Sequence, residues 1–319
     1  MGFDTTAPRA NFVIWSSGSS SLNGRVTLQT GSVLDVDLVP VSSAGRGAFS
    51  PVGTTVSPDG SPRFTGQIRV QFAGLRVTGT GYRVTGFRPG PARLIAASGL
   101  NVLDTVDLLV VGEEIPGMVV LDALEAHMLR MSADQVKVLK DSINGSKTII
   151  VDQQIVDLLA AMLDEGDVDV MSLLRRGQSQ HGVVQGSQVF VKAVDLSGFK
   201  GTPVISNDGA KLVDLICSML KLFPKGDYDI GFPRPVGGPT GFDPTHDVFF
   251  PVLDLDAARK CWDGLISGPL SSMLQPARSK VADAMRQSKA TFHVFYPDGL
   301  NHLHVSVTKY PSIIADLNV

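Results

Sequence analysis

Two kinds of hydrophobic pattern divide this chain. As far as residue 112 the apolar positions fall in short alternating runs, at 12–15, 25–28, 33–39, 67–70, 82–87, 92–97 and 106–111, each broken off by Gly, Ser or Pro. A period of two is the mark of a strand with one buried face, and turn residues at such intervals predict consecutive strands. Seven runs without helical spacing predict an all-β sandwich over 1–112. Residues 113–118, with Glu113, Glu114, Pro116 and Gly117, read as a linker.

Beyond residue 118 the spacing changes to three and four. Val120, Leu124, Met128 and Met131 predict one or two helices over 119–144. Ile155, Leu158, Leu159 and Met162 predict another over 151–163, ended by Gly166 and followed by a strand over 168–174. Ser206, Asn207 and Asp208 cap a helix over 209–223 that Pro224 stops. The stretch 226–244 is dense in Gly and Pro and reads as a loop, with further helices at 255–266 and 279–288. The end of the chain predicts a hairpin, 290–296 against 301–308, turning at Asp298-Gly299. Helices around a small antiparallel sheet make the second domain, 119–319, α+β.

Composition narrows the partners. A chain of 319 residues, 43% hydrophobic and 18% charged, suits two folded domains. Its 28 basic and 31 acidic side chains form no basic stripe, so no nucleic-acid partner is expected. No apolar run is long enough to span a bilayer. The first residues show neither a basic start nor an apolar core, so no Sec signal is expected. Two cysteines, Cys217 and Cys261, are too few for a disulfide framework and read as core thiols.

The candidate chemistry centres on His302 and His304, two imidazoles separated by one residue beside an alternating apolar run. On a strand they project from one face. His181 and Asp195, upstream, supply the other donors that a catalytic zinc takes: three protein ligands, chiefly His with Asp or Glu, and one open position. His181, Asp195 and His304 are therefore the expected Zn2+ ligands, with His246 as a substitute. A two-residue turn at Asp298-Gly299 would set His293 opposite His304, as an orienting group or auxiliary base. His127, in a helix far from these segments, reads as structural.

Ser172-Leu173-Leu174-Arg175, Ser179-Gln180-His181-Gly182, Gly186 and Ala193-Val194-Asp195-Leu196-Ser197-Gly198-Phe199 together resemble the Ser-x-His-x-x-Gly-x-Ala-x-Asp signature of the LAS-type zinc metallopeptidases. His302-Leu303-His304 resembles their second signature, His-x-His. That superfamily contains D-alanyl-D-alanine carboxypeptidases, lysostaphin-type endopeptidases, murein endopeptidases and the hedgehog domain. The resemblance runs over residues 118–310 and implies a hedgehog/DD-peptidase-like domain with zinc on His181, Asp195 and His304. Thirteen residues, 182–194, separate His181 from Asp195, more than the signature has, and residues 183–192 are expected to bulge outward.

By the same resemblance, Arg175 (or its neighbour Arg176) binds a substrate carboxylate or carbonyl. No Glu precedes the final ligand, so His302 takes the role of base or transition-state stabiliser. The first domain resembles the Ig-like modules of bacterial surface and secreted proteins. The implied function is a zinc-dependent hydrolase of peptide bonds in bacterial peptidoglycan, acting on a stem peptide or cross-bridge. As a secreted effector or lysin it would reach a periplasm or target wall by a specialised or phage route, with secretion machinery or an inhibitor as partner. The alternative is a metal-binding but non-catalytic cell-wall or protein-binding module.

Overall fold

The computed structural model describes residues 12–16, 26–40, 67–71, 75–78, 82–98, 101–174, 181–205, 209–234, 248–250, 269–299 and 301–308. The chain divides into two units, Met1–Ile115 and Pro116–Val319, at a point inside the predicted linker.

The first unit holds β1 (Phe12–Ser16), β2 (Val26–Gln29), β3 (Val33–Pro40), β4 (Gln67–Gln71), β5 (Leu75–Thr78), β6 (Tyr82–Gly86), β7 (Gly90–Ser98) and β8 (Asn101–Val111). They form two four-stranded sheets, ordered β1-β3-β6-β5 and β2-β8-β7-β4. β5, Leu75-Arg76-Val77-Thr78, was not predicted, although it alternates and is as long as β2. Gly86 is required by a close approach: a Cβ there would stand 2.9 Å from Val110 Cγ1, so β6 of one sheet comes within a methyl group of β8 of the other.

The second unit is built on a sheet of β9 (Leu129–Arg130), β11 (Val168–Ser172), β14 (Ala193–Phe199), β16 (Asp227–Phe232), β17 (Thr291–Pro297) and β18 (Leu303–Val307). Their order is β17-β16-β18-β14-β11-β9, and β15 (Thr202–Pro203) pairs with β14. The sheet is mixed rather than small and antiparallel: β16 runs parallel to β17, and β9 to β11. A second sheet joins β10 (Ile149–Val151) to the hairpin β12 (Gly182–Gln185) and β13 (Gln188–Val191). The helices are α1 (Pro116–Glu125), α2 (Ala133–Ile143), α3 (Gln153–Leu163), α4 (Gly209–Leu220) and α5 (Ala277–Gln287). α3 starts two residues later than predicted, after Val151 ends β10, where Asp152 accepts a hydrogen bond from Gln154 N at 2.9 Å, a cap that contributes about 1 kcal/mol. Among the described residues no helix is long and apolar enough to cross a membrane. The predicted cap at 206–208 and helix at 255–266 lie outside the described residues.

Two expectations for the end of the chain are corrected together. Residues 227–232 are a strand, not part of a loop, and this strand stands between the two arms of the predicted hairpin. β18 is buried at all five positions and takes a partner on each edge, β14 and β16. The Asp298-Gly299 segment does not close a two-residue turn. It ties instead to the end of β16: Asp298 N donates to Phe232 O at 2.9 Å and Arg234 N to Gly299 O at 3.0 Å. Tyr228, Ile230 and Phe232 alternate with Asp227, Asp229 and Gly231. The apolar set faces the helices, where Tyr228 Oη reaches Gln154 O and its ring meets Phe223. The opposite face of the sheet is left for polar groups.

Candidate metal centre

Asp195 lies opposite His304 in the β14–β18 ladder. Gly231 on β16 lies opposite His304, and Ser172 on β11 opposite Asp195. Directly opposed residues share a face, and His302, two residues before His304, joins them. Asp195 Oδ1 stands 2.8 Å from His304 Nδ1 and 3.4 Å from His302 Nε2, while its Oδ2 stands 3.2 Å from His181 Nε2. His181 and His304 meet edge to face, ring centres 5.0 Å apart. Asp195 is fully buried and His181, His302 and His304 nearly so.

His181 comes from the base of the β12–β13 hairpin, which takes up the extra residues between it and Asp195. Gly186 has φ 62°, as the first central position of a type II′ turn requires, and Gln185 pairs with Gln188 across that turn. Lys192 N donates to His181 O at 2.9 Å, so the excursion closes on itself. The chain leaves and returns at one point, and the insertion does not move His181 away from Asp195.

Neighbours set the imidazole tautomers. His181 Nδ1 lies 3.1 Å from Leu173 O, a group that only accepts, so Nδ1 carries the hydrogen. Nε2 then presents a lone pair to a carboxylate oxygen, and two acceptors 3.2 Å apart need a proton or a cation between them. Burial opposes the ionisation of Asp195; a proton on His181 Nε2, shared with Oδ2, and the hydrogen bond and charge of His304 outweigh it and hold its carboxyl well below the usual carboxylate range. His302 Nδ1 lies 3.2 Å from Asn301 Oδ1, again an acceptor, which leaves Nε2 as the basic nitrogen on the Asp195 side. Tyr296 borders the group, its ring centre 6.1 Å from that of His304. Burial, then the charges of Asp298, Asp229 and Asp195, push its hydroxyl well above the ordinary value, so it stays protonated.

The structure thus brings together His181, Asp195, His302 and His304. Donor atoms of His181, Asp195 and His304 all lie within 4.8 Å of one another. His293 is not among them. It sits on β17, separated from β18 by β16, at the register shift between Phe292 and Val294. Its side chain is exposed, and its Nε2 lies 2.9 Å from Asp227 Oδ1. The expectation that it faces His304 fails because β16 takes the place of β17 beside β18. Arg175, Arg176 and His246 lie outside the described residues.

Sequence reasoning overlooked Gln135 on α2. Its Oε1 accepts from Leu173 N at 2.8 Å and Leu174 N at 2.9 Å, and its Nε2 donates to Leu174 O. The amide clamps the end of β11, whose Leu173 O orients His181. A polar position on an amphipathic helix carries no signal of that contact. Were the group to hold Zn2+, Gln135→Ala would weaken its binding about tenfold, the scale of lost outer-shell support, with the circular dichroism unchanged. Competition with a chromophoric chelator measures it, and an unchanged affinity would refute the clamp.

Comparison with protein-family models, with curated proteins and with solved structures returned no match.

Proposed function

We propose that the second unit is a zinc-dependent hydrolase that cleaves peptide bonds in bacterial peptidoglycan, and that the first unit is an Ig-like module holding it at a wall, a partner or a delivery apparatus. The observation that carries the metal reading is the opposed pair of acceptors at His181 Nε2 and Asp195 Oδ2, with His304 Nδ1 on the other carboxylate oxygen. Two imidazoles and one ionised carboxylate match the donor set of catalytic zinc. His181, Asp195 and His304 would hold the ion. When bound, it supplies a Lewis acid that polarises a carbonyl and acidifies water.

The rest of the chemistry falls to the chain. Asp195 is ionised beside its histidines, so the protons that a cation would displace sit on the imidazoles. Leu173 O holds His181 in one tautomer. His302 takes a proton on Nε2 from the attacking water and returns it to the leaving amine, a task suited to an imidazole. The near-complete burial of the group keeps bulk water from competing with its hydrogen bonds. The murein substrate rests on the resemblance of the two signatures alone.

Purified murein incubated with the zinc-loaded chain is expected to release new amino termini, and His304→Ala to release them only at the blank rate. Zinc bound at about one ion per chain with no release from murein would instead leave a metal-binding, non-catalytic module.

A further inference from the structure

We infer that the Ser172 hydroxyl is a positioning group for Asp195: in the cation-loaded protein its Oγ donates a hydrogen bond to the Asp195 carboxylate and holds it as a ligand. The inference rests on the metal reading above and extends it to β11, a strand that supplies no ligand. Ser172 is 3% exposed, and among the described residues its Oγ is buried with no hydrogen-bond partner. Buried hydroxyls are nearly always bonded, because burial strips them of water. One left unbonded points to a partner that arrives with a ligand or an ion.

The local backbone aims this hydroxyl at Asp195. Val170 lies opposite Leu196 and Ser172 opposite Asp195, so two steps along β11 match one along β14. That mismatch is a bulge, which re-aims a side chain. In a regular strand Ser172 would share the face of Val170, two residues earlier; the bulge turns it to the face of Asp195. Directly opposed residues on antiparallel strands have Cβ atoms about 5 Å apart. Rotation about the Ser172 Cα–Cβ bond therefore carries Oγ within reach of a carboxylate oxygen. The next residue, Leu173, is fixed at both ends: its N–H donates to Gln135 Oε1 and its carbonyl faces His181 Nδ1.

Ligand chemistry creates the need for this donor. Asp195 faces imidazole nitrogens of His181, His302 and His304 at 3.4 Å or less. A nitrogen that ligates an ion carries no hydrogen, so loading removes N–H donors from the carboxylate. The ion takes one of the roughly four lone-pair sites of a carboxylate, and the others still call for donors. A buried hydroxyl on the same face supplies one. Outer-shell hydrogen bonds of this kind orient ligating carboxylates.

Ser172→Ala removes the oxygen and little else. Two measurements on the full chain test the assignment: Zn2+ affinity by chelator competition, and the thermal midpoint of the chelator-stripped protein. The variant is expected to bind Zn2+ about tenfold more weakly. Stripped of metal, it is expected to melt at the wild-type midpoint or above, because a hydroxyl without a partner stabilises nothing there. The infrared difference between Zn2+-loaded and stripped protein adds a signature. Its carboxylate stretching bands, to which a ligating Asp195 contributes, are expected to shift in Ser172→Ala as a hydrogen bond is lost. Wild-type affinity in the variant overturns the inference and leaves the three-ligand reading standing. So does a weaker affinity joined to a lowered midpoint of the stripped protein, or to unshifted bands, since either marks a packing role. A wild-type chain that binds no Zn2+ overturns both readings.

Discussion

Asp195→Asn is expected to abolish tight binding of Zn2+ and, with it, any hydrolysis of murein. Among the described residues Asp195 faces His181, His302 and His304 at once, through Oδ1 to His302 and His304 and through Oδ2 to His181. Asparagine keeps the shape but removes the charge and replaces one acceptor by a donor. Apparent binding energies for structural zinc are about 10–16 kcal/mol, so losing a third of that, about 4 kcal/mol, lowers the affinity by about three orders of magnitude. Calorimetric titration gives the number directly. Thermal unfolding gives a second readout: Zn2+ raises the midpoint of the wild type by mass action and leaves that of the variant unmoved. A variant still stabilised by zinc at wild-type concentrations would remove Asp195 from the centre.

The second large effect concerns β16, a strand that sequence reading missed. Phe232→Ala, at the end of β16, is expected to destabilise the second unit by about 3–5 kcal/mol. Phe232 is fully buried, with ring centres 4.8 Å from Phe249, 6.1 Å from Phe250 and 6.2 Å from Phe295. At about 2–4 °C per kcal/mol for a unit of this size, the midpoint falls by roughly 10 °C. The loss also reaches the site, because β16 carries Gly231 and its end holds Asp298. Zinc affinity is expected to fall with stability. A loss below about 1 kcal/mol would mean that the aromatic cluster does not hold β16 in place.

The period-two and period-three-to-four patterns were strong local signals, and among the described residues the elements they mark are present: seven of the eight described strands of the first unit, the helices α1 to α5, and β11. The placing of His302 beside His304 was equally legible, since spacing on a strand suffices to set them on one face. The misreadings at 226–244 and at the final hairpin share one cause. Pro233, Pro235, Gly226 and Gly231 masked the alternation of Tyr228, Ile230 and Phe232, and without that strand an Asp-Gly pair between two apolar runs has only the hairpin reading.

By itself, then, the amino-acid order determined which residues alternate, which stretches hold helices, and which side chains are able to hold a cation, because these depend on neighbours within a few positions. It could not determine which strand lies beside β18, since distant pairing partners, Tyr228 against Phe292 on β17 and against Val307 on β18, are chosen by burial on both edges of a central strand. That choice, made only in three dimensions, sent His293 to the exposed edge and brought Asp298, through the empty place at Gly231, to within 3.7 Å of His304.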